Sequence, residues 1–305
     1  MFETIFLGTS ASAPSIQRSL PAMVLNHDEY RFLVDCGEGT QRQILKSGIG
    51  FKRLNRILIT HSHLDHILGL AGLVSTLLRW EAMEDLEIFA SPGAMGRIHD
   101  LLFGVVLRGA KNPPVKLTKI DTGAFFEGGD LTVSAFAVPH RRTDSRGFLF
   151  DESGRRPFLP EKADALNIPM GPWRRDLVNG EAATLPDGRV IDPEQVLGEF
   201  KPGTRFVYIG DVGNTSGLEE YCQDADGLVI EATYLEEDAQ LARKFDHLTA
   251  HKAAELAERA GVKQLVLTHV SRRYRERDIL AEAQAVFPNV RIARDFDTYS
   301  FKRDK

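Results

Sequence analysis

The hexapeptide His61-Ser62-His63-Leu64-Asp65-His66 places four potential metal ligands within six residues. Neutral imidazoles joined by a carboxylate suit a borderline divalent ion such as zinc. The aliphatic run RILIT at 56–60 precedes the hexapeptide, and Ile67, Leu70, Val74, Leu77 and Leu78 follow it at helical spacing. The cluster therefore sits where a strand turns into a helix. Alternate side chains of an extended segment share one side, so His61 and His63 can grip one ion while the turn presents Asp65 and His66 to another. A single histidine at a strand end is more often a hydrogen-bonded surface or core residue. Three of them with an aspartate at this density point to a two-metal site.

Six residues cannot saturate two ions, so the rest of the chain must supply further donors. His140 follows TVSAFAVP, Asp211 follows RFVYIG and His269 follows KQLVLT, each at the C-terminal end of an expected strand. That is where α/β architectures place ligands and reactive groups. Strands are expected at 3–7, 31–35, 56–60, 131–138, 205–210, 227–231 and 263–268, and helices at 38–47, 66–79, 193–199, 215–223, 249–260 and 276–286. The order reads as two similar halves. From about 141 to 192 the periodicity gives way to a segment rich in Pro, Gly, Arg and Asp, including NIPMGPWRRDLVNGE. A stretch of that length is read as an inserted, flexible arm with a functional role.

The 305 residues, 43% hydrophobic and 27% charged, match an ordinary globular chain and are read as one domain, 1–305. A net charge of −5 argues against indiscriminate nucleic-acid binding, which rests on neutralising phosphates. Any RNA contact must be local, in clusters such as Arg141-Arg142, Arg155-Arg156, Arg174-Arg175 and Arg272-Arg273. Doublets of this kind are as often plain solvated surface. The two cysteines, Cys36 and Cys222, are far apart and outside any CxxC spacing, and are read as reduced packing residues. The first residues lack a basic leader with a long apolar run, and no later stretch approaches the ~18 apolar residues of a membrane span. A cytoplasmic location is expected.

HSHLDH followed by single His, Asp and His at strand ends resembles the metallo-β-lactamase superfamily across nearly the whole chain. The resemblance implies an α/β fold, a four-layer αββα sandwich of two mixed sheets with metals at one edge. It assigns His61, His63 and His140 to one ion and Asp65, His66 and His269 to the other, with Asp211 bridging and Asp65 orienting the attacking water. FLGTSASAPS, VDCGEGTQRQIL, EATYL with DHLTAHKAAELA, and LTHVSRRY are similar to ribonuclease Z in particular. So is the segment around Gly171-Pro172, which resembles the arm that clamps the tRNA elbow. The implied reaction is removal of the 3′ trailer from tRNA precursors by a homodimer carrying two zinc ions per subunit, with manganese as a substitute. His247 would be the general acid at the leaving 3′ oxygen and Glu231 the carboxylate holding it. The bland alternative for His247 is a packing residue before a helix capped by Thr249. Arg272, Arg273 and Tyr274 are candidates for phosphate contact or for stacking on an unpaired 3′ end. Thr9, Ser10 and Ser12 either donate to the phosphate chain or merely turn the backbone. Two competing readings are a small-molecule phosphodiesterase or arylsulfatase-type hydrolase of the same fold, and a non-catalytic RNA-binding module.

Overall fold

The computed structural model describes residues 1–80 and 85–303. The strands run β1 Phe2–Gly8, β2 Ala22–His27, β3 Tyr30–Val34, β4 Arg56–Ile59, β5 Leu86–Ala90, β6 Val115–Lys119, β7 Gly123–Gly128, β8 Leu131–Val138, β9 Ser145–Glu152, β10 Ala183–Thr184, β11 Val190–Ile191, β12 Arg205–Tyr208, β13 Gly227–Glu231, β14 Leu265–Thr268, β15 Val290–Ile292 and β16 Thr298–Phe301. The helices are α1 Thr40–Ser47, α2 Leu64–Ile67, α3 Gly69–Arg79, α4 Pro92–Leu101, α5 Pro160–Ala165, α6 Pro172–Val178, α7 Glu219–Cys222, α8 Ala239–Phe245, α9 Ala250–Arg259 and α10 Glu276–Gln284.

Two seven-stranded mixed sheets form, ordered β16-β1-β2-β3-β4-β5-β6 and β15-β14-β13-β12-β9-β8-β7. The alternation of side chains along each strand builds the layers. Leu58, Val229 and Val266 face inward with Phe32, Phe148, Phe150 and Phe206 to fill the space between the sheets. Their neighbours Ile57 and Ile59 face outward onto α3 and α4 through Leu70, Val74 and Ile98. In the second sheet Leu228, Ile230, Leu265 and Leu267 face outward onto α9 and α10 through Ala253, Ala257 and Ile279. The result is the expected αββα sandwich.

Strand β9 corrects the sequence reading. It lies inside the span 141–192 assigned to the arm, yet it is a central strand paired antiparallel with both β8 and β12. Its first four residues, Ser145–Phe148, are all buried, so the polar-apolar alternation of a half-exposed strand is absent. Gly147 is there because a Cβ would come within 2.3 Å of the Phe136 ring. The segment outside the sandwich is therefore 153–203. It folds around a small core of its own, with Ile168, Leu177, Leu185, Ile191 and Val196 packed together and Trp173 against them. The helix expected at 193–199 is a single 3-10 turn, Pro193–Gln195, with a capping box from Asp192, and the one expected at 215–223 shortens to α7 because Gly217 takes a left-handed φ of 73° before it.

Among the described residues no helix is long and apolar enough to cross a membrane. Cys36 and Cys222 are buried, unpaired thiols, and burial pushes the Cys222 thiol up to about 12.

Candidate metal centre

Strands β3, β4, β8, β12, β13 and β14 all end at one edge of the sandwich, and each delivers a polar residue there: Asp35, His61, His140, Asp211, Glu231 and His269. Where β4 ends, Thr60 and His61 lead into α2, which carries Asp65 and His66. The turn packs against the loop after β3 with no room to spare. Cys36 N–H donates to His66 O at 2.8 Å and Gly69 N–H to Cys36 O at 2.9 Å. A Cβ on Gly69 would stand 2.0 Å from Gly37 O.

The seven expected ligands converge into two groups, His61-His63-His140-Asp211 and Asp65-His66-Asp211-His269, with the donor atoms of each group within 4.8 Å of one another. Asp211 belongs to both. Its Oδ2 lies 3.8 Å from His61 Nε2 and 3.7 Å from His140 Nε2, while its Oδ1 lies 3.3 Å from His66 Nε2 and 3.1 Å from His269 Nε2. Asp65 Oδ2 is 3.7 Å from both His66 Nε2 and His269 Nε2. Donors on a tetrahedron of zinc-ligand radius stand about 3.4 Å apart, so these spacings bracket what an ion at each centre requires.

The partners of the other ring nitrogens strengthen that fit. Asp35, fully buried, accepts from His66 Nδ1 at 2.8 Å and from the Thr60 hydroxyl, which in turn accepts from His61 Nδ1 at 3.0 Å. Glu231, also fully buried, accepts from His247 Nδ1 at 2.9 Å and from the Thr233 hydroxyl at 2.5 Å, which accepts from His269 Nδ1 at 2.9 Å. His140 Nδ1 donates to Asp246 O at 2.7 Å. One carboxylate in each half thus fixes two imidazoles, one directly and one through a threonine. These committed Nδ1 atoms aim Nε2 of His61, His66, His140 and His269 at the centre. Three of the inward atoms, His66 Nε2, Asp211 Oδ1 and His269 Nε2, are buried without a hydrogen-bond partner. Orphaned polar atoms of this kind are costly, and a cation between them removes the cost. His63 differs in pointing Nδ1 inward, 2.8 Å from His61 Nε2.

The electrostatics favour the neutral, metal-binding form of His61, His63 and His140, whereas His66 is raised well above the usual histidine range, burial being outweighed by the charges of Asp211 and Asp35. Burial, then the charge of His66, hold His61 well below the usual histidine range, and burial with His140 beside it brings His63 down to about 4. Burial works to raise Asp211 and Asp65, but the surrounding imidazoles outweigh it and both carboxyls lie below their ordinary values. His247 is opposite. Burial lowers it, yet the charge and hydrogen bond of Glu231 prevail and raise it to about 9. Its ring centroid lies 5.1 Å from His140 and 5.4 Å from His269, so a protonated imidazole stands beside the two groups.

Not every expected substrate residue comes to this edge as anticipated. Arg272 and Arg273 are exposed just after His269, with free approach to solvent. The Tyr274 hydroxyl is engaged by Asp238. The Thr9 hydroxyl lies between Arg18 and Asp295, and Ser10 donates to Ala13 O at 2.7 Å, so both serve the loop itself, which bridges to Val270 beside His269. Ser12 is exposed at the loop tip with φ 57°. Gly171, with φ 144°, and Pro172 begin α6 in the segment 153–203 and take no part in the centre. The sequence reading missed Asp35, Thr60, Thr233 and Asp246. Asp35 carried a signal, since it ends the strand expected at 31–35 by the rule that located His140, Asp211 and His269.

The chain is similar to known proteins to different depths. The family model described as Anti-Pycsar protein Apyc1 matches residues 2–158, and that of the β-lactamase superfamily domain matches 186–270. The chain is 48% identical to Ribonuclease Z of Bradyrhizobium diazoefficiens over 297 residues, covering 97% of this chain and 99% of the relative. It is 39% identical to Ribonuclease Z of Archaeoglobus fulgidus, covering 97% and 96%. Among solved structures, the short form of human tRNase Z aligns with a TM-score of 0.66 at 25% identity over 98% and 99% of the two chains. The metallo-β-lactamase fold protein YhfI from Bacillus subtilis aligns with a TM-score of 0.71 at 16% identity over 98% of each.

Proposed function

Because this chain belongs to the ribonuclease Z family, within the metallo-β-lactamase fold, we propose that it is a zinc-dependent endoribonuclease that removes the 3′ trailer from tRNA precursors. The observation that carries the reading is the pair of donor groups sharing Asp211, with His247 and Glu231 beside them, in a chain 48% identical to a Ribonuclease Z over nearly its full length.

Two zinc ions, with manganese as a substitute, would be held by His61, His63 and His140 on one side and Asp65, His66 and His269 on the other, with Asp211 between. The chemistry they supply when bound is activation of water and neutralisation of charge on the phosphoryl oxygens. Asp65, whose side chain in the second group is 14% exposed, would accept a hydrogen bond from the nucleophile and so orient it. On the opposite side of the phosphorus an alkoxide departs and needs a proton. His247 holds that proton on Nε2, because Glu231 fixes the other nitrogen at 2.9 Å and keeps the ring charged. The product then carries a free 3′ hydroxyl.

The segment 153–203 supports recognition of a large folded substrate. It leaves the sandwich at Glu152, the far end of β9, whereas Ser145 at the other end pairs with Val138 beside the centre. Eight residues of strand separate the two ends by about 25 Å. An arm rooted there reaches away from its own centre, which suits a homodimer in which it grips tRNA held at the partner's site. Gly171 and Pro172 would lie at the contact, and Arg272 and Arg273 would take phosphates near the cut. A cytoplasmic location follows from such a substrate.

The reading is tested by metal analysis combined with removal of the arm. Two equivalents of zinc per chain are expected, falling in His63→Ala, and deletion of 153–203 is expected to abolish precursor cleavage while sparing hydrolysis of a small chromogenic phosphodiester. Equal loss of both activities in a folded deletion variant would make the arm structural.

A further inference from the structure

A cavity of about 490 Å³ lies on the outer side of His247, between the loop after Asp211 and helices α8 and α9. His247 lines it, whereas none of the seven donor residues of the metal centre does. His247 thus stands between the two spaces, with 6% of its surface exposed. The volume is that of a small-ligand site. One wall is the loop 213–217, whose Asn214, Thr215 and Ser216 offer amide and hydroxyl groups.

The charges of this cavity are unequal in their commitments. Lys252 Nζ is paired with Glu255 at 2.7 Å, and Arg259 Nε with Glu219 at 3.2 Å. Glu236 accepts from the Thr249 hydroxyl at 2.7 Å. Arg243, exposed on α8, has no side-chain hydrogen bond or ion pair among the described residues. A guanidinium left free beside a proton donor is suited to a phosphate, which it can hold in a bidentate manner.

Resting on the endonuclease reading above, we propose that this cavity binds the nucleotide that carries the leaving 3′ oxygen, with Arg243 on that nucleotide's 5′ phosphate and the loop 213–217 on its sugar and base edge. The acid must touch the departing oxygen, so the nucleotide bearing that oxygen lies on the acid's side of the scissile bond, away from the attacking water. No other bond changes in this pocket: it holds the 5′ phosphate and the ribose so that the 3′ oxygen meets Nε2 of His247 as the P–O bond breaks. After cleavage the occupant has a 5′ phosphate and a free 3′ hydroxyl, which is the chemistry of a nucleoside 5′-monophosphate.

Adenosine 5′-monophosphate is therefore a probe of the site. The experiment measures its binding to the metal-loaded full chain by calorimetry and its inhibition constant against a small chromogenic phosphodiester, in the parent protein, R243A and R243K. Adenosine and inorganic phosphate serve as controls, because phosphate alone reports any direct attachment to the metals. The expected result is that the monophosphate binds more tightly than either control. R243A weakens both its binding and its inhibition by about ten- to a hundredfold, R243K restores part, and the melting temperature is unchanged. Equal affinity of the parent protein and R243A for the monophosphate overturns the proposal, as does binding no tighter than that of phosphate. The outcome for precursor tRNA separates the two claims. If the precursor is not cut, the endonuclease reading fails while dependence of monophosphate binding on Arg243 still supports the pocket. If it is cut and Arg243 has no effect on binding, the pocket assignment alone fails.

Discussion

Substituting Glu231 by glutamine removes one charge from the network that sustains the proposed acid. In the parent structure the carboxylate accepts from His247 Nδ1 at 2.9 Å, from Val212 N–H at 2.7 Å, from Leu248 N–H at 3.2 Å and from the Thr233 hydroxyl at 2.5 Å. Glutamine keeps the shape but turns one acceptor oxygen into a donor facing donors, at a cost of about 1–3 kcal/mol in stability. The catalytic effect is separate. His247 is raised to about 9 from an ordinary 6.5, against a burial effect that lowers it. Without Glu231's charge the lowering influence remains, so the value falls to the ordinary one or beneath it. At a pH of about 7.5 the charged fraction of His247 then drops from nearly all to about a tenth or less. The alkaline limb of kcat/KM for an RNA substrate should move down by about two units or more, with at least a tenfold loss near neutrality. A diester whose leaving group departs as a stable phenolate needs little protonation and should lose much less. An unmoved alkaline limb, or equal losses on the two substrates, would refute the assignment of His247 as acid and Glu231 as its support.

Asp65→Ala should leave the fold intact and abolish hydrolysis; turnover by a variant that retains its metals would sink the role given to Asp65. Gly69→Ala should displace the α2 turn, because the new Cβ meets Gly37 O at 2.0 Å, and a loss of about 2 kcal/mol or more in urea unfolding is expected together with reduced metal content. Chelation should lower the melting temperature and re-addition of zinc should restore it, since the ion binds only the folded arrangement of His66, Asp211 and His269; an identical melting temperature with and without metal would contradict the fit of the donor set.

Much of the centre was legible because ligands at strand ends leave a local signature. RILIT into HSHLDH, and a lone His or Asp after each later aliphatic run, need only period-two strands and a common sheet edge to converge. The supporting residues were harder to see. Thr60 and Thr233 look like ordinary strand-end threonines, and only the fold reveals that each relays a buried carboxylate to an imidazole. Strand β9 was hidden by its burial, which removes the alternation that marks a half-exposed strand, and by the neighbouring Pro- and Gly-rich segment. That one missed strand shifted the expected arm by about a dozen residues and obscured where it is rooted. With β9 in place, the root lies at the end of the sheet opposite the centre. Short helices such as α7 failed for a different reason: a single left-handed glycine sets their start, and helical periodicity does not register it.

Incubation of the zinc-loaded chain with a precursor tRNA carrying a 3′ trailer, followed by mapping of both new ends, addresses the central claim most directly. The account predicts one cut at the trailer junction that leaves a 3′ hydroxyl on the tRNA and a 5′ phosphate on the trailer, lost in Asp65→Ala. An intact precursor under conditions where the same sample hydrolyses a small phosphodiester would contradict it and favour a small-molecule hydrolase of the same fold.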